Sequence, residues 1–297
     1  MILNAEDFQA ARARWTEAFE AGRLEEASVL VDEALAWAQA NDEALLRDRA
    51  LCNRAAIALG LGRGSAHVPA LRELLVRSSD PENCYLASYT IACNYELQKE
   101  NRKGLFYAHL ARDHAASLDE NRQAASLNAI ANFLVAESRF EEAIATYEAA
   151  LELLPDRHSI RAAVIGYNLG YCRVLTGRGR EGLAALYTSL RFLMHRGAEG
   201  HTMKASLDLA FALLETAHAR RAARHATRAL VLAERLADTD AKKNALYILG
   251  AAAIATGDRV GARRHFERLQ QGFYPEADHL PELLLHVDVR QLVNLKA

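Results

Sequence analysis

Apolar residues recur along this chain at steps of three and four, and short polar or glycine-bearing breaks interrupt them before the phase drifts. The clearest stretch is 124–155. Leu127, Ile130, Ala131 and Leu134 mark one helical stripe, and Ala143, Ile144, Tyr147, Ala150 and Leu151 mark a second, with a break at Glu137-Ser138-Arg139. This pattern predicts two antiparallel helices. Small side chains at Ala131, Ala143 and Ala150 would let the backbones approach closely, with Tyr147 filling the space between them. Pro155 would end the second helix, because it lacks an N–H and restricts the residue before it.

The same pairing can be followed along most of the chain, in units near 6–40, 42–77, 80–118, 120–155, 159–196, 201–237 and 240–274. In the first unit Phe8, Trp15 and Phe19 are expected to face Ala27, Val31 and Ala34 across a break at Gly22. Asp80, Pro81 and Glu82 read as an N-cap, a first-turn proline and an acid at the positive end of a helix dipole. Later turns are expected at Gly177-Arg178-Gly179 and Gly257-Asp258. The predicted domain is thus a repeat array over 1–277. It is followed at 278–297 by a terminal helix that either caps the last repeat through Leu280, Leu283, Leu284, Val287 and Leu292 or drives oligomerisation. Leu285, Val289 and Val293 would form a second apolar face on that helix, which leaves a homodimer open.

The 124–155 stretch resembles a tetratricopeptide repeat. The seventh unit matches next best, with Leu246, Leu249 and Gly250 before the turn and Ala262 and Phe266 after it, and Leu169, Gly170 and Gly177 fit in the fifth. Spacing near 40 residues exceeds the roughly 34 typical of that family, so each helix should be about a turn longer. The resemblance implies an all-α, right-handed superhelical solenoid of about seven antiparallel helix pairs plus a C-terminal helix. It also implies a non-enzymatic scaffold that holds an extended peptide or a partner's segment in a concave groove formed by the first helix of each pair. Two alternatives belong to other classes. One is a peptide-responsive regulatory sensor, although the chain begins directly in the first repeat. The other is a self-assembling adaptor with no separate ligand.

One polar feature follows the repeat. Asn53, Asn94, Asn128, Asn168 and Asp208 recur in successive first helices at separations of 41, 34, 40 and 40 residues. Side-chain amides can both donate to and accept from a peptide backbone, and the resemblance implies such a ladder on the groove. Tyr167, Lys204, Asn244 and Tyr247 would extend the same surface. The alternative is that these amides bridge neighbouring helices, since a buried, unpaired amide costs about 1–3 kcal/mol. A carboxylate clamp would need several groove cations, and Lys204 alone fits.

Composition narrows the rest. The chain has 297 residues, 51% of them hydrophobic, with five prolines and a net charge of −2. No apolar run is long enough to span a membrane and the first residues lack a secretory pattern, so a cytoplasmic protein is expected. Residues 1–50 carry eleven acids against five arginines, whereas 173–235 carry eleven Lys or Arg against five acids. The stripe Arg220, Arg221, Arg224, His225 and Arg228 has no recognition helix or stacking platform beside it. It reads as a solvated outer face rather than a nucleic-acid site. Gly177–Gly182 spells G-x-G-x-x-G, but a helix precedes it where a dinucleotide site needs a strand. The eleven histidines make no compact ligand set, and the four cysteines form no C-x-x-C and read as reduced structural thiols. Neither a metal, a cofactor nor a catalytic group is predicted.

Overall fold

The computed structural model describes residues 4–20, 22–292 and 294–296. Among them the chain is all-α. The helices are α1 (Ala5–Glu20), α2 (Leu24–Ala40), α3 (Ala44–Gly60), α4 (Val68–Arg77), α5 (Pro81–Leu97), α6 (Asn101–Ala115), α7 (Glu120–Ala136), α8 (Phe140–Leu153), α9 (Ile160–Leu175), α10 (Gly179–His195), α11 (Glu199–Glu215), α12 (Ala219–Arg235), α13 (Thr239–Ala255), α14 (Arg259–Phe273) and α15 (Leu280–His286). They form a helical repeat in which consecutive helices pair. None of the helices is long and apolar enough to cross a membrane. The chain divides into two compact units, residues 1–133 and 134–297.

The breaks share one physical device. After α9, Gly177 takes φ +83° and the next amide, Arg178 N–H, donates to Arg173 O at 2.7 Å. This closure satisfies carbonyls that the last helical turn would otherwise leave unpaired. Gly257 repeats it at φ +84°, whereas Ser138 and Ala217 adopt the same left-handed turn at φ +60° without the freedom of glycine. Helix starts are capped where the sequence allows it. Asp80 accepts from Asn83 N–H at 2.7 Å, Ser159 from Ala162 N–H at 3.1 Å, and Asp238 from Ala241 N–H at 2.8 Å.

In the first unit, Phe8 and Trp15 pack edge-to-face, 5.5 Å apart, over the fully buried Ala27, Val31 and Ala34. An ion network ties its helices together. Glu82 on α5 pairs with Arg12 of α1 at 2.8 Å, Arg49 of α3 at 2.5 Å and Arg122 of α7 at 2.5 Å. Burial alone would raise the Glu82 carboxyl, but Arg49, Arg12 and Arg122 outweigh it and hold it below the usual range. Several acids of the N-terminal surplus are therefore structural partners. Asp48, for example, accepts from Arg77 Nη2 at 2.6 Å.

In the second unit the helices approach where side chains vanish. Gly170 of α9 faces Gly182 of α10. A Cβ on Gly170 would meet Gly182 O at 2.8 Å, and one on Gly182 would meet Gly170 O at 2.5 Å. The third glycine of the G-x-G-x-x-G string is thus a helix-crossing residue, and a helix precedes the string. Phe266 closes over Gly250 in the same way. Tyr147, Tyr171 and Phe211 are almost fully buried.

The terminal helix differs from its prediction. In this stretch the α-helix is confined to Leu280–His286 and a 3-10 turn follows at Arg290–Leu292, with Leu284 and Leu285 buried, while Leu283, Val287 and Leu292 are exposed rather than capping. Val293 lies outside the described residues. The cause is local. Val287 and Val289 are β-branched and poor in helices, and Asp288 accepts from the Arg290 backbone N–H at 3.0 Å and pairs with its guanidinium. Such a side-chain turn competes with helical hydrogen bonding. The chain leaves the helix at Val287 in extended conformation and runs back over its own unit.

Candidate functional site

The inner face of the second unit is set by which helices touch. α9 packs on α11 and α11 on α13, whereas α10, α12 and α14 make no comparable contact with one another. Alternate helices thus meet along one row, α9–α11–α13. Tyr167, Asn168 and Tyr171 project from α9, Lys204 and Asp208 from α11, and Asn244 and Tyr247 from α13.

Residues 288–292 and 294–296 of the same chain form a returning segment that lies against this row. The Lys296 ammonium donates to Asn168 Oδ1 at 2.6 Å and to Asp208 Oδ2 at 2.7 Å, and sits 5.3 Å and 5.0 Å from the ring centres of Tyr167 and Tyr171. A carboxylate, an amide oxygen and two aromatic faces together make a receptor for an ammonium group. Around it the backbone is held too. Asn244 Nδ2 donates to Leu295 O at 3.3 Å, and Asn294 Nδ2 donates to Val135 O at 2.7 Å, where α7 ends. Arg290 donates to Leu214 O at 3.2 Å, at the end of α11. The buried Tyr171 hydroxyl approaches the Leu295 backbone without a hydrogen bond of ordinary geometry.

The electrostatics follow burial. Asp208 is 5% exposed, which pushes its carboxyl above the usual range, while the Lys296 ammonium and, less strongly, Lys204 pull it back. Burial also pushes Tyr247 up to about 12, with Asp288 adding to the rise and Arg290 opposing it. Tyr247 lines a cavity of about 230 Å³ with Ile254, Phe266, Leu285, Val287 and Arg290, beneath the start of the returning segment.

The nine residues singled out from sequence therefore separate by unit. Tyr167, Asn168, Asp208 and Asn244 converge on the returning segment, Tyr247 lies beside it, and Lys204 is exposed on the same helix as Asp208. In the first unit Asn53 donates to Arg49 O on its own helix at 2.8 Å, and the buried Asn94 accepts from Ser65 Oγ at 3.3 Å. Both amides are engaged inside the scaffold. The physical reason is proximity: Arg49 O is one helical turn behind Asn53, and the short 3-10 turn Gly64–His67 brings Ser65 against α5. Asn128 differs, because its Oδ1 is buried without a hydrogen-bond partner.

Sequence reasoning did not single out Tyr171, Arg290, Asn294 or Lys296. Tyr171 stands four residues after Tyr167 and so shares its helix face, which was a readable signal. Lys296 was a lone cation in an apolar stretch, and reading that stretch as a helix hid its use. Among the described residues, no group of three or more His, Cys, Asp or Glu is placed to hold a metal ion.

No protein-family model and no curated protein matches the chain. Solved structures do. A Rap protein complexed with Competence and Sporulation Factor aligns over 94% of this chain and 80% of its own, at 13% identity and a TM-score of 0.74. A tetratricopeptide repeat protein from Parabacteroides merdae aligns over 94% and 97%, at 14% identity and a TM-score of 0.55. PilW, a type IV pilus biogenesis factor, aligns over 80% and 98%, at 20% identity and a TM-score of 0.58. With its paired helices, left-handed helix closures and small-residue crossings, the chain is by fold a tetratricopeptide-type helical repeat protein.

Proposed function

We propose that this protein is a non-enzymatic scaffold that binds a peptide or a segment of a partner protein on the α9–α11–α13 face of its second unit. The observation that supports this reading is the returning segment itself. A stretch of polypeptide outside the helix pairs is held there by an amide on its backbone carbonyl, through Asn244, and by a polar pocket around one side chain. A peptide from another molecule needs the same two kinds of contact. A structural neighbour solved with a bound factor, the Rap protein with Competence and Sporulation Factor, is consistent with this use of the fold.

The test is panning of a random peptide library against the full chain, as wild type and as Lys296→Glu, which frees the face. Enriched peptides should lose binding when Asn168 and Asn244 are both changed to Ala. They should keep it with Asn53→Ala, whose amide bonds its own helix. Enrichment on neither chain, or peptides indifferent to Asn168 and Asn244, would refute the proposal.

A further inference from the structure

Lys296 is the one cation of the returning segment placed in the polar pocket, and the pocket around it is specific in kind. Asp208 supplies a full negative charge and Asn168 an amide oxygen, both on an ammonium, while Tyr167 and Tyr171 offer ring faces. Asp208 and Asn168 are 5% and 6% exposed, and Tyr167 and Tyr171 are 4% and 0% exposed. A pocket so desolvated with an ionised acid at its base discriminates strongly. A neutral side chain there leaves the carboxylate without a counter-charge, and an acidic one adds repulsion. Asn244 fixes the carbonyl of the residue just before the lysine, so the pocket reads a lysine side chain carried on a peptide backbone rather than a free amine.

From this we infer that the partner of the second unit is a lysine-bearing peptide segment, whose ammonium replaces that of Lys296 between Asn168 and Asp208, and that the returning segment, through Leu295 and Lys296, occupies the site in its absence. The inference rests on the peptide-binding reading above and names the ligand chemistry and the regulation of that same face. The segment is well suited to the second role. It is tethered at α15, it is not part of any helix pair, and Leu292 is 84% exposed at its middle. Among the contacts holding it are polar bonds at Arg290, Asn294, Leu295 and Lys296. A ligand in trans must compete with an effective concentration on the order of millimolar for so short a tether. For a peptide of roughly 10–100 µM intrinsic affinity, that competition weakens apparent binding about 10- to 100-fold.

The experiment uses the full chain and a fluorescent peptide with the sequence of residues 287–297, followed by anisotropy. Lys296→Glu in the full chain places two carboxylates together and expels the segment, so the variant should bind the peptide at least about tenfold more tightly than wild type. A peptide with Met in place of its lysine should lose at least about tenfold on the same variant, since it leaves Asp208 unpaired. Adding Asp208→Asn to the variant should remove most of that preference for lysine. Circular dichroism confirms that each chain retains its helicity. Equal peptide affinity for wild type and Lys296→Glu overturns the competition, and equal affinity for the lysine and methionine peptides overturns the pocket assignment. Absence of peptide binding to Lys296→Glu overturns the inference as a whole. If library peptides still bind through Asn168 and Asn244 in that last case, the scaffold reading survives it; if they do not, both fall.

Discussion

Replacing Lys296 by Met isolates the electrostatics of the site, because it removes a charge while keeping much of the apolar stem. The ammonium lies 2.7 Å from an Asp208 carboxylate that is 5% exposed. A hydrogen bond to a charged group contributes about 1.5–3 kcal/mol net, and stripping one partner from a fully buried pair costs about 3–5 kcal/mol. The lower range applies, since the Lys296 side chain is 21% exposed and its segment can lift away to let water reach Asp208. A penalty of about 2–3 kcal/mol at neutral pH follows, or a fall in the melting temperature of roughly 4–12 °C for a unit of this size.

The pH dependence gives the sharper test. Burial already raises the Asp208 carboxyl above its ordinary 3.8, and without Lys296 less opposes that rise. The folded variant then holds a proton at pH values where the unfolded chain has lost it. Its penalty is therefore full at neutral pH and fades as pH falls through the folded-state pKa toward 3.8. Thermal melts of wild type, Lys296→Met, Asp208→Asn and the double variant, at neutral and mildly acidic pH, complete the cycle. Penalties of Lys296→Met that do not shrink in acid, or single-variant effects that simply add in the double variant, would refute the pairing.

Glu82→Gln should show a penalty with the same pH trend, arising from a carboxyl shifted the opposite way. Its carboxyl is held below the usual range by three arginines, so its stabilisation of about 1–2 kcal/mol is full above an ordinary glutamate pKa and is lost as pH falls through the depressed folded value; chemical denaturation at two pH values reads this. Gly170→Ala should destabilise by about 1–2 kcal/mol in a thermal melt, because overpacking against the α10 backbone outweighs the gain in helix propensity, whereas Gly272→Ala, with nothing within 4 Å, should be neutral or slightly stabilising. Ala217→Gly should stabilise by about 0.5–1 kcal/mol and Gly177→Ala should destabilise by about 1 kcal/mol, since both turns demand a left-handed φ; urea midpoints measured in parallel check the pair.

Much of the fold was legible before any coordinates. Helices, breaks and pairings follow from local rules: a three-to-four apolar period, a left-handed closure at Gly177 or Gly257, a cap at Asp80, and glycine or alanine where backbones cross. Each acts within one or two turns of chain or across one hairpin, and the residues concerned announce themselves by type. The polar ladder was legible as a repeat but not as a role, because an amide's hydrogen bonds depend on what the rest of the fold brings within 3 Å. Asn53 and Asn94 found partners in their own scaffold, while Asn168 and Asn244 met a segment 128 and 51 residues further along the chain. The sequence by itself determined where helices begin, end and pair. Only the tertiary structure decided that the returning segment lies against α9, α11 and α13 and that Lys296 meets Asp208, because burial and charge complementarity act between residues whose separation along the chain carries no trace of their contact.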